Sequence, residues 1–539
     1  MTLVPRAAVA ELLAENYTPL MLGDALGRVT EVLEGGRLAV LGDPVKAVIG
    51  KSRWLLRTLV MSRGYASTHR EAERWPCRES DKSCLGTVQL AYGSASPAWR
   101  ALYTIQAIVE YLDPRPDKAI GEEVRLSRYT LATMGVGGEE AERRRPLSPG
   151  ALRIRVKILR RLGRHPGSER APWLVGYDCL DGLVAASTAF TLRILGIGQG
   201  ASRGFGLFRV KALKAPPKAG PLLAGLQVLD KPGSVKEALA TLRQAVEGLE
   251  QLLDCSVRSD WKARRGSGSL RAGTIDVGNV RVYSYQGKVK WLEGTIWRKL
   301  PKNSKGIPPS KLRGIHEALE VIGLATLKLS WKIRNGEGRA GGGAYHTWIL
   351  GLPRRQKVGR PVPCFGSAEE PPTGYLIESS EGGIRLGRAS DGIYKVVRED
   401  GILFTEGRRE SPLKLIPLDV EGRYIALIPI YPHDIAELVP RLYHAGGLAT
   451  TVKGKTRFID GVRLAKVEDI AGKGVGRVSY TCKGRVYVND AVAGIASPGR
   501  RTHPRGGAAP PGVPRASSAR VLVERAYREA LNFLDKLLS

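Results

Sequence analysis

Several things are scarce in this chain of 539 residues. No apolar run is long enough to cross a bilayer. The opening stretch, MTLVPRAAVAELLAENY, carries Glu11 and Glu15 where a secretory leader needs unbroken apolar residues. A cytoplasmic protein with no membrane partner is therefore expected. The six cysteines (Cys77, Cys84, Cys179, Cys255, Cys364 and Cys482) are scattered, and none forms a C-x-x-C pair. That argues against the usual zinc and dithiol motifs, so no metal is expected, and it leaves buried or free thiols as the expectation. Seven histidines are dispersed (His69, His165, His316, His346, His433, His444 and His503), with no evident acid–base pair among them. Few Met, Cys and Gln beside many Arg and Glu suggest a thermophile.

Carboxylates are also short. There are 84 Lys and Arg against 52 Asp and Glu, a formal charge of +32. Such a surplus repels itself in a compact state unless a polyanion is near. Nucleic acid is the natural candidate.

What is abundant is glycine, and it is concentrated in Leu195–Val210, LGIGQGASRGFGLFRV. Gly196, Gly198, Gly200, Gly204 and Gly206 fall there with one cation, Arg203, and no carboxylate. Glycine admits positive φ and close backbone approach. Successive amides in such a loop can form a concave anion site. A dinucleotide fingerprint is met on paper by Gly196, Gly198 and Ala201, but it requires a helix afterwards. The following residues, LFRVKAL, read as a strand, so a cradle for a sugar–phosphate strand competes with a plain packing turn.

Along the chain, residues 17–41 read as β-structure. Lys51–Ser62 reads as a helix with Trp54, Leu55 and Leu59 inward and Arg53 and Arg57 sharing a face. Gly50-Lys51-Ser52 resembles the end of a P-loop, but the glycine required five residues earlier is Val45. Anion attraction at a helix N-terminus, reinforced by Lys51, Arg53 and Arg57, is what remains. Residues 63–95 read as an irregular insertion, and the segment after Ser96-Pro97 as a helix ended by Pro114. Arg153–Leu162 alternates like a strand with a basic face, and Asp178–Leu195 is a helix running into the glycine loop. Ser234 with Glu237 makes a capping box. A second glycine cluster, NGEGRAGGG, precedes His346, and His433-Asp434 reads as a helix cap.

These spacings divide the chain into 1–213, a Pro/Gly/Lys-rich linker at 214–233, a second domain at 234–496, a disordered basic Pro/Gly tract at 497–518 and a terminal amphipathic helix at 519–539.

Together the motifs resemble the RAMP superfamily of CRISPR systems, whose signature is a late glycine-rich loop like GIGQGASRGFG. The closer similarity is to the family of first subunits of the type III-B (Cmr) effector complex. It rests on Thr18-Pro19-Leu20 with Gly23, on Gly50, Arg53, Trp54, Arg57 and Leu59 in a Gly-x-x-Arg-Trp-x-x-Arg-x-Leu helix, and on Arg408, Arg409, Ser411, Pro412 and Leu413. Leu55 stands where that family usually has a second aromatic, and the stretches 63–95 and 445–518 are longer than its pattern. The resemblance implies an α+β fold of two ferredoxin-like (RRM-like) domains with insertions. It implies a place at the head end of a helical filament, with the 3′ part of guide CRISPR RNA, target RNA and other Cmr RAMP subunits as partners. It implies antiviral defence, no cofactor and no chemistry of the chain's own.

The residues expected to hold RNA are Lys51, Arg53, Trp54, Arg57, Gly196, Gly198, Gly200, Arg203, Gly204, Gly206, Arg408 and Arg409. Two other classes remain open. One is an endoribonuclease maturing CRISPR RNA, with His346 beside Tyr345 as its best catalytic candidate. The other is an interaction subunit whose charge serves acidic protein surfaces.

Overall fold

The structure is a computed structural model. It describes residues 6–335, apart from 24–29, 33–36, 78–80, 94–100, 118–145, 163–169, 263–278, 300–308 and positions 67, 82, 116 and 287. Beyond these it describes 374–378, 396–399, 402–405, 411–418, 424–430, 442–452, 455–466, 478–482, 485–489 and 519–539. Two compact units emerge: residues 1–325 with 413–433 and 538–539, and residues 326–412 with 434–537.

The first unit begins with β1 (Arg6–Asn16), where Ala10, Leu12, Ala14 and Asn16 alternate inward as a half-buried strand requires. Helix α1 (Pro44–Ser62) starts at Asp43, whose carboxylate accepts from Val45 N–H at 2.8 Å and Lys46 N–H at 3.3 Å, with Pro44 in the first turn. The helix therefore opens well before Lys51. Gly50 lies mid-helix, which removes the expected helix N-terminus, and with it the expected anion site, at Gly50-Lys51-Ser52.

Next come β2 (Tyr103–Tyr111), β3 (Leu152–Arg161), α2 (Tyr177–Phe190) and β4 (Phe208–Lys214). The helix expected after Ser96-Pro97 is thus a strand. Tyr103 and Ile105 are buried while Gln106, Ile108 and Glu110 face out, a period of two that β-branched and aromatic residues favour. The segment 63–95, expected as irregular, contains helices His69–Arg74 and Thr87–Tyr92.

The strand order β2-β3-β1-β4, antiparallel throughout, follows a strand–helix–strand–strand–helix–strand path. The core lies between this sheet and α1 and α2. The 214–233 tract holds α3 (Gly220–Val228), which buries Leu222, Leu223 and Leu226. Helix α4 (Val235–Ser256) then packs on α2. Ser234 Oγ accepts the Glu237 N–H at 3.1 Å, and the Glu237 carboxylate accepts from Gly233 N–H, one residue before the expected box partner. Strand β5 (Arg281–Ser284), helix α5 (Lys288–Thr295), helix α6 (Gly314–Asn335), β6 (Leu413–Leu418) and β7 (Tyr424–Pro429) follow. The last three strands form an antiparallel sheet in the order β6-β7-β5, so a second four-stranded sheet is not seen among the described residues.

The second unit contains a five-stranded sheet of Lys455–Lys466, Leu442–Val452, Gly374–Glu378, Ile402–Thr405 and Val396–Glu399, in that order. Mixed helix and antiparallel sheet throughout make the chain α+β.

Cysteine departs from expectation. Cys77 is bonded to Cys84, and Cys179 on α2 to Cys255 on α4. Spacing conceals the second pair, because partners 76 residues apart meet only through helix packing, whereas Cys77 and Cys84 are seven residues apart without forming a recognised dithiol motif.

Candidate nucleic-acid interface

Helix α2 does not end cleanly. It passes into a π-helical turn, Thr191–Leu195, closed by Gly196 N–H to Thr191 O at 2.8 Å. All five glycines that follow have positive φ, from +61° to +86°. At Gly198 an added Cβ would lie 2.3 Å from the Met21 carbonyl oxygen, and at Gly204 it would lie 2.7 Å from the Pro417 ring. Glycine here serves close packing first.

Most of the loop amides are spent inside the protein. Ile197 N–H donates to Gly206 O (2.9 Å), Gln199 N–H to Met21 O (2.7 Å), Gly206 N–H to Pro19 O (3.0 Å) and Leu207 N–H to Thr18 Oγ1 (2.9 Å). Gly196, Gly204 and Gly206 are buried, whereas Gly198, Gln199, Gly200, Ser202 and Arg203 are half-exposed. The surface a polyanion can reach is therefore the tip, 198–203. Gly200 and Gly204 bracket a short 3₁₀ turn at Ala201–Arg203, both in the left-handed region.

Helix α1 lies beside the base of this loop. Lys51 Nζ donates to Leu195 O at 3.3 Å, and Ser52 Oγ lies 2.9 Å from Thr191 Oγ1. Lys51 and the base of the glycine loop are thus brought together. Arg53 and Arg57 are turned to Glu73 of the short helix His69–Arg74; Arg57 Nε stands 3.6 Å from its carboxylate. Two guanidiniums against one carboxylate give this trio a net positive charge. Trp54 is half-buried and packs against the core. Arg408, Arg409 and His346 lie outside the described residues, as does His433-Asp434.

The basic alternation of β3 is real but internally matched. Arg153 faces Glu15 (3.3 Å) and Glu110 (3.6 Å), and Arg155 faces Glu11 (3.6 Å). Cross-strand pairing accounts for Arg153 and Arg155 without a ligand.

The residue that sequence reading missed is Arg193, only 1% exposed, in the π-helical turn. It donates to the Tyr17 hydroxyl (2.7 Å) and Leu229 O (2.6 Å), pairs with Asp230 (3.0 Å), and lies over the Tyr17 ring. Tyr17 in turn donates to Pro417 O at 3.2 Å. Burial raises the Tyr17 phenol above its ordinary value despite Arg193, so it stays neutral and able to donate. An arginine inside an otherwise apolar segment was the available signal. On α2, Asp181 accepts from Tyr103 Oη and Arg160 Nη1, each at 2.6 Å. Both clusters position the elements that carry the loop.

His316 Nε2 lies 2.8 Å from Asp117 Oδ2. No group of three or more His, Cys, Asp or Glu among the described residues is arranged to hold a metal. Among the same residues no helix is long and apolar enough to cross a membrane.

No family model and no curated protein matches the sequence. Solved structures do show similarity. Cmr1 from Pyrococcus furiosus in its apo form is 12% identical, over 86% of this chain and 95% of that one, with a TM-score of 0.35. A chain of the type III-B Cmr-beta complex bound to cognate target RNA and AMPPnP, in the presence of single-stranded DNA, is 14% identical over 80% and 95%, with a TM-score of 0.35. A chain of Cmr-beta bound to cognate target RNA is 13% identical over 79% and 94%, with a TM-score of 0.36. Each alignment spans most of both chains, at low identity and low TM-score.

Proposed function

We propose that the chain is a non-catalytic, RNA-binding subunit of a cytoplasmic type III-B (Cmr) ribonucleoprotein. Its two domains are ferredoxin-like, and it sits at the head end of the filament. There it holds the 3′ part of the guide RNA and the matching end of target RNA, beside other RAMP subunits. The observation that carries the reading is the +32 charge, whose self-repulsion a polyanionic partner relieves. The half-open loop tip gives that charge a place to act. Gly198 and Gly200 keep side chains off the backbone there, Arg203 supplies a cation, and Lys51 lies at the loop's base.

RNA paired to a guide is held by its backbone and shape rather than its base sequence. That task needs amides and cations and no reactive group. Of the residues named from sequence, Lys51, Gly198, Gly200 and Arg203 contribute directly. Gly196, Gly204 and Gly206 contribute by shaping the loop. Arg53 and Arg57 act through the positive field they retain around Glu73, and Trp54 anchors the helix. Arg408 and Arg409 add phosphate contacts of their own.

The test is purification of the tagged chain from its own cells, followed by sequencing of bound RNA and incubation of repeat RNA in EDTA. A guide RNA with other RAMP subunits, and intact repeat RNA, is the expected result. Single-site cleavage abolished by His346→Ala would replace the reading with the endoribonuclease. Subunits recovered without RNA, in a salt-insensitive assembly, would replace it with a protein-interaction role.

A further inference from the structure

Helix α5 in the first unit has an outer face that packing does not explain. Val289, Leu292 and Ile296 point into the core, at 6%, 0% and 0% exposure. The helical path continues past Thr295, since Ile296 N–H donates to Leu292 O at 2.8 Å. On the opposite side lie Lys290, Trp291, Gly294 and Arg298, all exposed. Trp291 is 47% exposed. Single exposed apolar residues are ordinary. What distinguishes this one is its company.

Lys290 is adjacent, Arg298 is two turns along the same stripe, and Lys288 lies three residues before the ring. The one acid of the helix, Glu293, is turned aside to accept from Ser310 N–H at 3.3 Å. Gly294 sits one turn beyond Trp291, and a Cβ there would meet nothing within 4 Å. Glycine is a poor helix former, so its presence on an open helical surface has a local cost with no packing gain. It leaves one flank of the indole clear.

A flat aromatic ring bordered by cations and an unobstructed approach is the arrangement that holds single-stranded nucleic acid. A base stacks on the ring and the phosphates lie against the cations. We propose that this face of α5 binds a single-stranded RNA segment, with one base stacked on Trp291 over Gly294 and its flanking phosphates held by Lys290 and Arg298. The inference rests on the RNA-binding reading above and adds a second contact, specific for unpaired strands. A duplex keeps its bases stacked on each other and gains nothing from Trp291.

The experiment uses the full chain and two labelled probes, a 12-nucleotide oligouridine and a blunt RNA duplex of the same length, read by fluorescence anisotropy. Trp291→Ala is expected to weaken oligouridine binding about tenfold and to leave the duplex within twofold. Trp291→Phe should recover part of the loss. Gly294→Gln, a better helix former, should preserve the thermal midpoint yet also weaken oligouridine binding. The double variant Lys290→Glu, Arg298→Glu should weaken both probes and flatten the salt dependence. If the unmodified chain binds oligouridine and both Trp291→Ala and Gly294→Gln leave that affinity unchanged, or lower duplex binding equally, the inference is wrong and the RNA-binding reading stands. If the unmodified chain binds neither probe, the RNA-binding reading fails and takes this inference with it.

Discussion

Ile197 and Gly206 close the base of the glycine loop on each other. The Ile197 N–H donates to Gly206 O at 2.9 Å, and a Cβ on Gly206 would stand 1.9 Å from the Ile197 carbonyl oxygen. With φ at +61°, Gly206 also occupies a region that L-residues avoid. Gly206→Ala should therefore cost about 3 kcal/mol or more of stability, from strain and backbone collision together. Gly225→Ala within α3 is the control. Its Cβ would meet only Thr241 Cγ2 at an ordinary 3.7 Å. That variant should gain about 0.5–1 kcal/mol. Urea titration of both variants checks the contrast.

Arg193 is the charge that the fold cannot lose. Its guanidinium serves Tyr17, Leu229 and Asp230 in one buried place. Removing one member of a buried charged network leaves the others uncompensated, at about 3–5 kcal/mol. Arg193→Met should lower the free energy of unfolding by that amount, read by urea titration. Arg153→Met, which breaks pairs on the solvated sheet face, should change stability by under about 1 kcal/mol.

The Cys179–Cys255 bond closes a long loop between α2 and α4. On chain entropy such a crosslink stabilises by about 4 kcal/mol. Cys77–Cys84 closes only a short loop and should contribute less. Thermal melts with and without reductant should therefore separate. The double variant Cys179→Ser, Cys255→Ser should reproduce most of the reductant's effect, and Cys77→Ser, Cys84→Ser the smaller part.

Burial holds the Asp181 carboxyl above its ordinary value, outweighing Tyr103 and Arg160 beside it. The folded state then keeps a proton that the unfolded chain has already released. Stability from this group is full below the ordinary carboxylate value near 4 and is lost as pH rises through the raised folded value. Asp181→Asn should remove that component of the pH slope. Glu250, also raised by burial, should keep its own component in the variant. Urea midpoints of both proteins across pH 4 to 7 read the difference directly.

Much of the first sheet was legible because alternation is a local property. Leu152–Arg161 and Phe208–Lys214 fall where the pattern put them, and so does the helix leading into the glycine loop. The strand Tyr103–Tyr111 was misread because Ser96-Pro97 mimics a helix start and the run is apolar enough to fit either period. Helix α1 begins before the Lys51–Ser62 pattern because Asp43 caps it and Pro44 opens its first turn. Both disulfides, the Arg193 cluster and the pairing of Arg53 and Arg57 with Glu73 were not legible. Apart from Cys77–Cys84, which are seven residues apart, each joins elements distant in sequence, and nothing local marks the partner. In the glycine loop, residue type showed where positive φ is needed. It did not show that Met21, Pro19 and Thr18 take up most of the amides.

The central claim is that a polyanionic strand is held by amides and cations at the loop tip. The most direct measurement is the affinity of the full chain for guide RNA as a function of salt, with Arg203→Ala beside it. A steep linear fall of log affinity with log salt is expected, with the slope reduced by about one in the variant. Affinity indifferent to salt, or a slope unchanged in Arg203→Ala, would contradict the account.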